Sequence, residues 1–249
     1  MSGHSKWSTI KRRKGAQDAR RGKLFAKLVR GIEVAARQGG GDPEANPALA
    51  TAIDKAKSNS VPQSNIERAI ARGTGAGEGA SSYEEIWYEG YAPGGVALYV
   101  HVLTDNRNRA ASDVRSTFTR NGGNLGEPGS VAYLFEQKGY LLVSGDEDVV
   151  MEAALDSGAE DLRSTNGSFE VITDPSELQN VREAMATAGL SLDVAEVTQL
   201  PKTTVPVGKS NAGKVLRLVD VLDDLDDVQA VYANFDIPDD VMESVQASA

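Results

Sequence analysis

Cysteine is absent from these 249 residues, which excludes disulfides, thiolate metal sites and a cysteine nucleophile, and permits a reducing compartment. Histidine is almost absent: His4 and His101 are the only two. Neither a Cys/His nor a Ser/His/Asp constellation finds support in that stock. His101 lies inside an apolar run, where a satisfied strand histidine is the simpler reading. Long apolar runs are missing too. The longest, "VALYVHVL" at 96–103, falls far short of the ~20 residues that span a bilayer. The charged N-terminus has no apolar stretch behind it of the kind a secretory signal carries. These absences predict a soluble, cytoplasmic protein, with an Arg-rich organellar transit peptide as the lesser alternative.

Cations are also scarce over most of the chain, and their distribution is informative. Residues 1–75 hold 15 Lys and Arg against 6 Asp and Glu, a balance of +9, whereas residues 76–249 hold 11 against 30, a balance of -19. The chain is therefore a basic head on an acidic body, although its net charge is -10. The first 40 residues carry eleven cations and two acids, interleaved with Trp7 and Phe25. Solubility does not require such a run on a protein already so acidic, and polyanion binding is its expected use. Membrane-surface binding is the competing use of the same charges, ranked lower because Phe25 and the leucines suit a helical core.

Residues 3 to about 16 lack periodicity and are dense in like charge, which predicts a cationic arm that orders on its target. From Arg20 the pattern changes. At ~100° per residue, Leu24, Phe25, Leu28, Val29, Ile32, Ala35 and Ala36 fall on one arc, with Lys23, Lys27, Arg30 and Arg37 opposite. This is an amphipathic helix with a cationic outer stripe, Val34 being its one blemish. "QGGGDPEANP" ends it, and Asn46 and Pro47 start a second helix. Pro62 and Ser64 start a third, which Gly73 stops.

"GTGAGEGASS" at 73–82 has linker composition. Beyond it, "YEEIWYEGY" and "VALYVHVLT" predict a hairpin across "APGG", "RNRAASDVRSTFTRNGG" a helix and "SVAYLF" a third strand. Residues 138–200 then read strand, helix, strand, strand, helix, strand, the ferredoxin-like plait, with Asp146 and Asp174 as helix N-caps. A helix from about 209, a strand "VQAVYANF" and a short last helix follow. These cannot bury their apolar faces alone. The predicted architecture is therefore α+β and multidomain. A basic helical domain covers 1–75 and a linker 76–82. A discontinuous α/β domain takes 83–136 plus 204–249, and a ferredoxin-like βαββαβ domain, 137–203, is inserted in it.

Several motifs weigh little. "GKS" at 208–210 lacks the glycine that a phosphate loop needs five positions before Gly208, where Thr203 stands. The alternating glycines Gly73 to Gly79 have no strand before them, so they are not a dinucleotide fingerprint. "DDLDD" at 223–227 closes a helix, where a solvated acidic face is the default. The junction Asn106, Arg107, Asn108, Arg109 offers backbone N–H groups and two guanidinium forks to a phosphate or carboxylate. Capping by Asp105 or Asn106 with solvated arginines is the equally simple alternative.

"GHSKWSTIKRRKGAQDARRGKLFAKL" resembles the start of the YebC/PmpR proteins, a family that includes the mitochondrial translational activator of cytochrome c oxidase subunit I. The likeness continues in "GGGDPEANPAL", "KAKSNSVPQSNIERAI", "YEGYAPGGVALYV", "TDNRNRAASDVRSTFTRNGGNLGEPGSVAYLF" and "AVYANFDIP", so it covers nearly the whole chain. The resemblance implies three domains, the third inserted in the second. It also implies no enzymatic activity, no cofactor and a role in gene expression. Some members are described as DNA-binding transcriptional regulators; others act in translation at the ribosome, including relief of stalling.

Carried to this sequence, the resemblance makes Lys6, Lys11, Arg12, Arg13, Lys14, Arg20, Arg21, Lys23 and Lys27 the expected nucleic-acid contacts, with Trp7 stacking or anchoring. The residue pattern adds Arg30, Arg107 and Arg109. No helix-turn-helix with a clear dimer face is legible, which favours structured RNA or weakly specific DNA on physical grounds. A monomer is the expected state, and neither a metal nor membrane attachment is expected. An acid/base enzyme working through His101 and Asp105 is the remote alternative.

Overall fold

A computed structural model describes residues 18–76, 83–165, 167–238, 240–242 and 245. The expectations for the cationic arm before Asp18 and for the linker at 77–82 lie outside the described residues.

The head is three helices around their own core. Helix α1 (Asp18–Gly39) is 22 residues long, ~33 Å, and buries Leu28, Ile32, Ala35 and Ala36 against α2 (Pro47–Ser58) and α3 (Gln63–Gly73). Asn46 does two jobs at the first junction. Its Oδ1 accepts from the Leu49 N–H at 3.1 Å, capping α2. Its Nδ2 donates to the carbonyls of Ala35 and Gly40 at 2.9 Å each, which satisfies the open end of α1. Gly73 lets α3 cross α1 closely, since a Cβ there would collide with the Glu33 carbonyl. Beside it the buried Glu33 carboxylate meets Arg72 Nε at 3.0 Å and Arg37 at 3.5 Å.

The hairpin forms as expected from β1 (Glu84–Ala92) and β2 (Val96–Thr104), and its turn places Gly94 and Gly95 at φ of 86° and 80°. Helix α4 (Arg107–Arg120) follows, capped by Asn106, whose Oδ1 accepts from the Arg109 N–H at 3.1 Å.

The next expectation is corrected. "SVAYLF" is not a strand: Ala132–Leu134 form a 3-10 turn, and the sheet's remaining member is the two-residue β3 (Asn124–Leu125). The cause is Glu89. Its carboxylate, 7% exposed, accepts the backbone N–H groups of Gly129, Val131 and Ala132 at 2.7, 2.6 and 2.8 Å. Donors spent on a carboxylate are not available to a strand ladder.

The chain then leaves for the inserted unit: β4 (Phe135–Ser144), α5 (Glu147–Asp156), β5 (Asp161–Thr165), β6 (Ser168–Thr173), α6 (Leu178–Thr187) and β7 (Ser191–Pro201). Its antiparallel sheet runs β5-β6-β4-β7, the ferredoxin-like order, over a core of Leu141, Val143, Val150, Phe169, Val171, Val181 and Met185. Phe135 pairs with Pro201, so the chain arrives and departs side by side, as an insertion requires. Asp146 caps α5 as expected. Asp174 does not cap α6. Its carboxylate takes the N–H and Oγ of Ser176 at 2.8 and 2.6 Å, closing a turn, and the helix starts later, with Glu177 as its N-cap.

On return come β8 (Val205–Pro206), α7 (Lys209–Asp223), β9 (Val228–Ala233) and β10 (Phe235–Asp236). Strand β9 pairs with β2 to complete the sheet β3-β1-β2-β9, and β10 pairs with β8. Helices α4 and α7 pack their buried faces, including Phe118, Leu218 and Leu222, on one side of the four-stranded sheet. Residues 83–134 thus close their core only with elements from beyond the insertion. Within the last predicted helix, 240–242 and 245 are helical, and Met242 is buried.

Glu89 supplies a test of this wiring. Burial alone would push its carboxyl up, but the three backbone donors outweigh it and hold the group below its ordinary value. A depressed folded-state value means stability present above the unfolded-state value and lost as pH falls through the folded one. Glu89→Gln should cost about 2 kcal/mol in denaturant unfolding at neutral pH, with the gap to wild type narrowing below about pH 4.

Candidate nucleic-acid interface

Lys6, Trp7, Lys11, Arg12, Arg13 and Lys14 lie outside the described residues, and Arg20 and Arg21 lie within α1. Lys23, Lys27 and Arg30 recur at i, i+4 and i+7 on the face of α1 opposite its core. The expectation that this stripe faces outward is corrected: it is docked on the "DDLDD" turn after α7. Lys23 Nζ donates to the Asp224 carbonyl at 3.1 Å and lies 3.5 Å from Asp226 Oδ1. Lys27 donates to the Asp223 carbonyl and lies 3.6 Å from its carboxylate. Arg30 Nη1 donates to the carbonyls of Leu103 and Asp226 at 3.1 and 2.8 Å and meets Asp227 Oδ1 at 3.2 Å. The Arg30 guanidinium also lies 5.2 Å over the Tyr83 ring.

The acidic turn is only in part the solvated face expected of it: Asp224 and Asp226 are exposed, while Asp223 and Asp227 are drawn in. The Asp227 side chain is only 12% exposed. Its second oxygen accepts from Thr104 Oγ1 at 2.9 Å and from Arg109 Nη2 at 2.8 Å, so one carboxylate joins an arginine of the head to an arginine of the body. Arg109 also donates to Asp105 at 2.8 Å, which holds that carboxyl below its ordinary value; its own guanidinium is held protonated more firmly than usual. Arg107 is exposed and lies 3.7 Å from Glu84. Both readings of the Asn106 junction therefore hold a part: Asn106 caps, and Arg109 does meet a carboxylate, but one from this chain. A cavity of about 510 Å³ opens here, lined by Lys23, Arg30, Arg109, Asp113, Asp226 and Asp227 among others.

The head touches the inserted unit by charge as well. Lys55 of α2 meets Glu196 at 3.0 Å, and Arg182 of α6 meets Asp54 at 2.9 Å. The hydrophobic cluster of the head draws on residues from 25 to 70 alone. Among the described residues, ion pairs and not a shared apolar core are what the head presents to both neighbours.

The residues an acid/base enzyme would need are engaged separately. His101 Nε2 lies 2.8 Å from Glu85 Oε1, which draws the Glu85 carboxyl below its ordinary value, and the His101 ring stacks on Trp87 at 4.4 Å. Asp105 is held by Arg109 instead. Among the described residues no group of His, Asp and Glu is arranged to hold a metal ion, and no helix is long and apolar enough to cross a membrane.

Residues 5–76 match the family described as "TACO1/YebC protein N-terminal domain", and residues 83–235 match "TACO1/YebC second and third domain". A protein of Rubrobacter xylanophilus is 60% identical over 98% of this chain and 99% of its own length. It is named "probable transcriptional regulatory protein". One of Acidothermus cellulolyticus, with the same name, is 56% identical over 98% of this chain and all of its own. The crystal structure of a conserved hypothetical protein from Aquifex aeolicus superposes with a TM-score of 0.80 at 49% identity, covering 89% of this chain and 93% of that one.

Asp227→Ala would leave Arg30, Arg109 and Thr104 without their shared acceptor. It should cost about 2 kcal/mol in denaturant unfolding, with the deficit shrinking in Asp227→Asn, which keeps one acceptor. No loss in either variant would mean that the carboxylate does not hold head to body.

Proposed function

We propose that this chain, which belongs to the TACO1/YebC family, is a non-enzymatic regulator of gene expression that binds nucleic acid through its basic head. The observation that carries the reading is the charge split. Eleven cations in the first 40 residues stand on a body of balance -19, an arrangement that concentrates phosphate affinity at one end. With Lys23, Lys27 and Arg30 engaged by the acidic turn, the phosphate contacts of the docked head fall first to Lys6, Lys11, Arg12, Arg13, Lys14, Arg20 and Arg21, with Trp7 available to stack on a base. The names of the relatives support control of transcription, and DNA is the nucleic acid this reading gives that control.

RNA on the ribosome is the second reading, and one observation favours it. The helix pair α2 and α3 spends Lys55 on Glu196 and Arg72 on Glu33, leaving only Lys57 and Arg68 with which to read base edges in a major groove. Phosphate and shape recognition fit such a head better than operator reading.

The test is reversal of Lys11, Arg12, Arg13 and Lys14 to Glu, with binding to a DNA duplex and to ribosomes measured across salt. Wild type should lose about a thousandfold in affinity between ~50 and ~200 mM salt if six or more phosphates are engaged, and the variant should bind far more weakly with a flatter slope. Unchanged binding would refute the proposal. Co-sedimentation with ribosomes beside genome-wide DNA crosslinking assigns the target: absence from ribosomal fractions removes the translation reading.

A further inference from the structure

The body is acidic, yet its cations are not scattered. Of the 11 Lys and Arg in residues 76–249, seven lie on α4 and α7: Arg107, Arg109, Arg115, Arg120, Lys209, Lys214 and Arg217. The same two helices hold only three of the 30 acids, Asp113, Asp220 and Asp223. Their balance is +4, and the rest of the body stands at -23. Such segregation needs a cause, because solubility is already served by the acids elsewhere.

The fold puts these charges on one layer. Helices α4 and α7 pack beside each other on the same face of the four-stranded sheet. Lys214 and Arg217 project opposite the α7 stripe of Ala212, Val215, Leu216, Val219 and Leu222, while Arg115 and Arg120 flank the α4 stripe of Ala110, Val114 and Phe118. Arg109 is engaged by Asp227 and Asp105, and Arg107 faces Glu84. The other five, Arg115, Arg120, Lys209, Lys214 and Arg217, are all exposed, and none is held in an ion pair among the described residues.

We infer that the outer face of α4 and α7 is a second phosphate-binding surface, which receives the backbone of the same nucleic acid that the head engages. This rests on the nucleic-acid reading of the head and extends it to the body. Two arguments select this partner. The first is complementarity: α7 runs ~22 Å, the span of about six phosphates of one strand, and presents cations with few acids between them. The second is continuity. Lys27 of α1 meets Asp223 at the end of α7, and Asp227 joins Arg30 of α1 to Arg109 of α4, so the basic helix of the head abuts the basic layer. The acidic turn neutralises the seam where three cationic elements converge, leaving the outer cations free for a ligand.

The experiment compares full-length wild type, the triple reversal Arg115→Glu, Lys214→Glu and Arg217→Glu, its Gln counterpart, and Lys202→Glu as a control on an exposed loop. Each is titrated against a DNA duplex of about 20 base pairs and an RNA hairpin of similar length across salt, with circular dichroism confirming the fold. The triple reversal should weaken binding at least about tenfold and flatten the log–log salt slope by about 2 to 3, three contacts at 0.7 to 0.9 each. The Gln triple should shift in the same direction, and Lys202→Glu should match wild type. Loss on both probes marks backbone recognition in general; loss on one identifies the nucleic acid that this face receives. Triple variants that bind like wild type while the four-residue leader reversal fails overturn the inference and leave the head's role intact. Wild type that binds neither probe defeats the nucleic-acid reading itself, and this surface with it.

Discussion

The contact between α1 and the Asp223–Asp227 turn governs how the head sits on the four-stranded sheet and its helices. Lys23, Lys27 and Arg30 reach across to backbone carbonyls and carboxylates of that turn, and Asp227 passes the link on to Thr104 and Arg109. Among the described residues no apolar core crosses from the head to the sheets, so its orientation depends on charge pairs, several of them partly exposed. Exposed pairs are individually weak and are screened by salt; Asp227, largely enclosed and shared by two arginines, is the member of the set with most to lose. A head held this way keeps a defined place while remaining sensitive to a competing polyanion.

The same economy of charge appears within the sheets. Glu89 is buried with no ion pair among the described residues, and backbone donors satisfy it instead, fixing the 126–132 loop against β1. Tyr91 reinforces this through its hydroxyl, which donates to the Ser130 carbonyl at 2.8 Å. Next to the loop the rings of Phe135, Tyr99, Trp87 and His101 stack in sequence at 5.7, 4.3 and 4.4 Å. Burial of polar and aromatic groups on this face replaces the second helical layer that a four-stranded sheet would otherwise need.

Much of the architecture was legible because its signals are local. Asn46, Asn106 and Asp146 cap where their neighbours' patterns place them, and the order of elements from β4 to β7 follows from period and turn composition. The pairing of β9 with β2 across the intervening unit has a different origin: neither flanking segment could close a core alone. The misses share one cause. Asp174 closes a turn on Ser176, and Gly129, Val131 and Ala132 give their N–H groups to Glu89 some 40 positions away; in each, a carboxylate accepted a backbone N–H that local pattern assigned elsewhere. For the interface, the spacing of Lys23, Lys27 and Arg30 marked one face of a helix, and four acids at 223–227 were the available signal for what that face meets.

The amino-acid sequence by itself determined most of the elements, the caps Asn46, Asn106 and Asp146, the basic head and acidic body, and the membership that its motifs carry, because each depends on residues within a few positions of one another or on composition. Only the tertiary structure decided which cations are already spent. Lys27 meets Asp223 across 196 positions and Arg109 meets Asp227 across 118, and a charge pattern has no knowledge of such partners until the chain has folded. It likewise decided that α4 and α7 share a layer, since packing on a common sheet face, not proximity in sequence, brings their cations together.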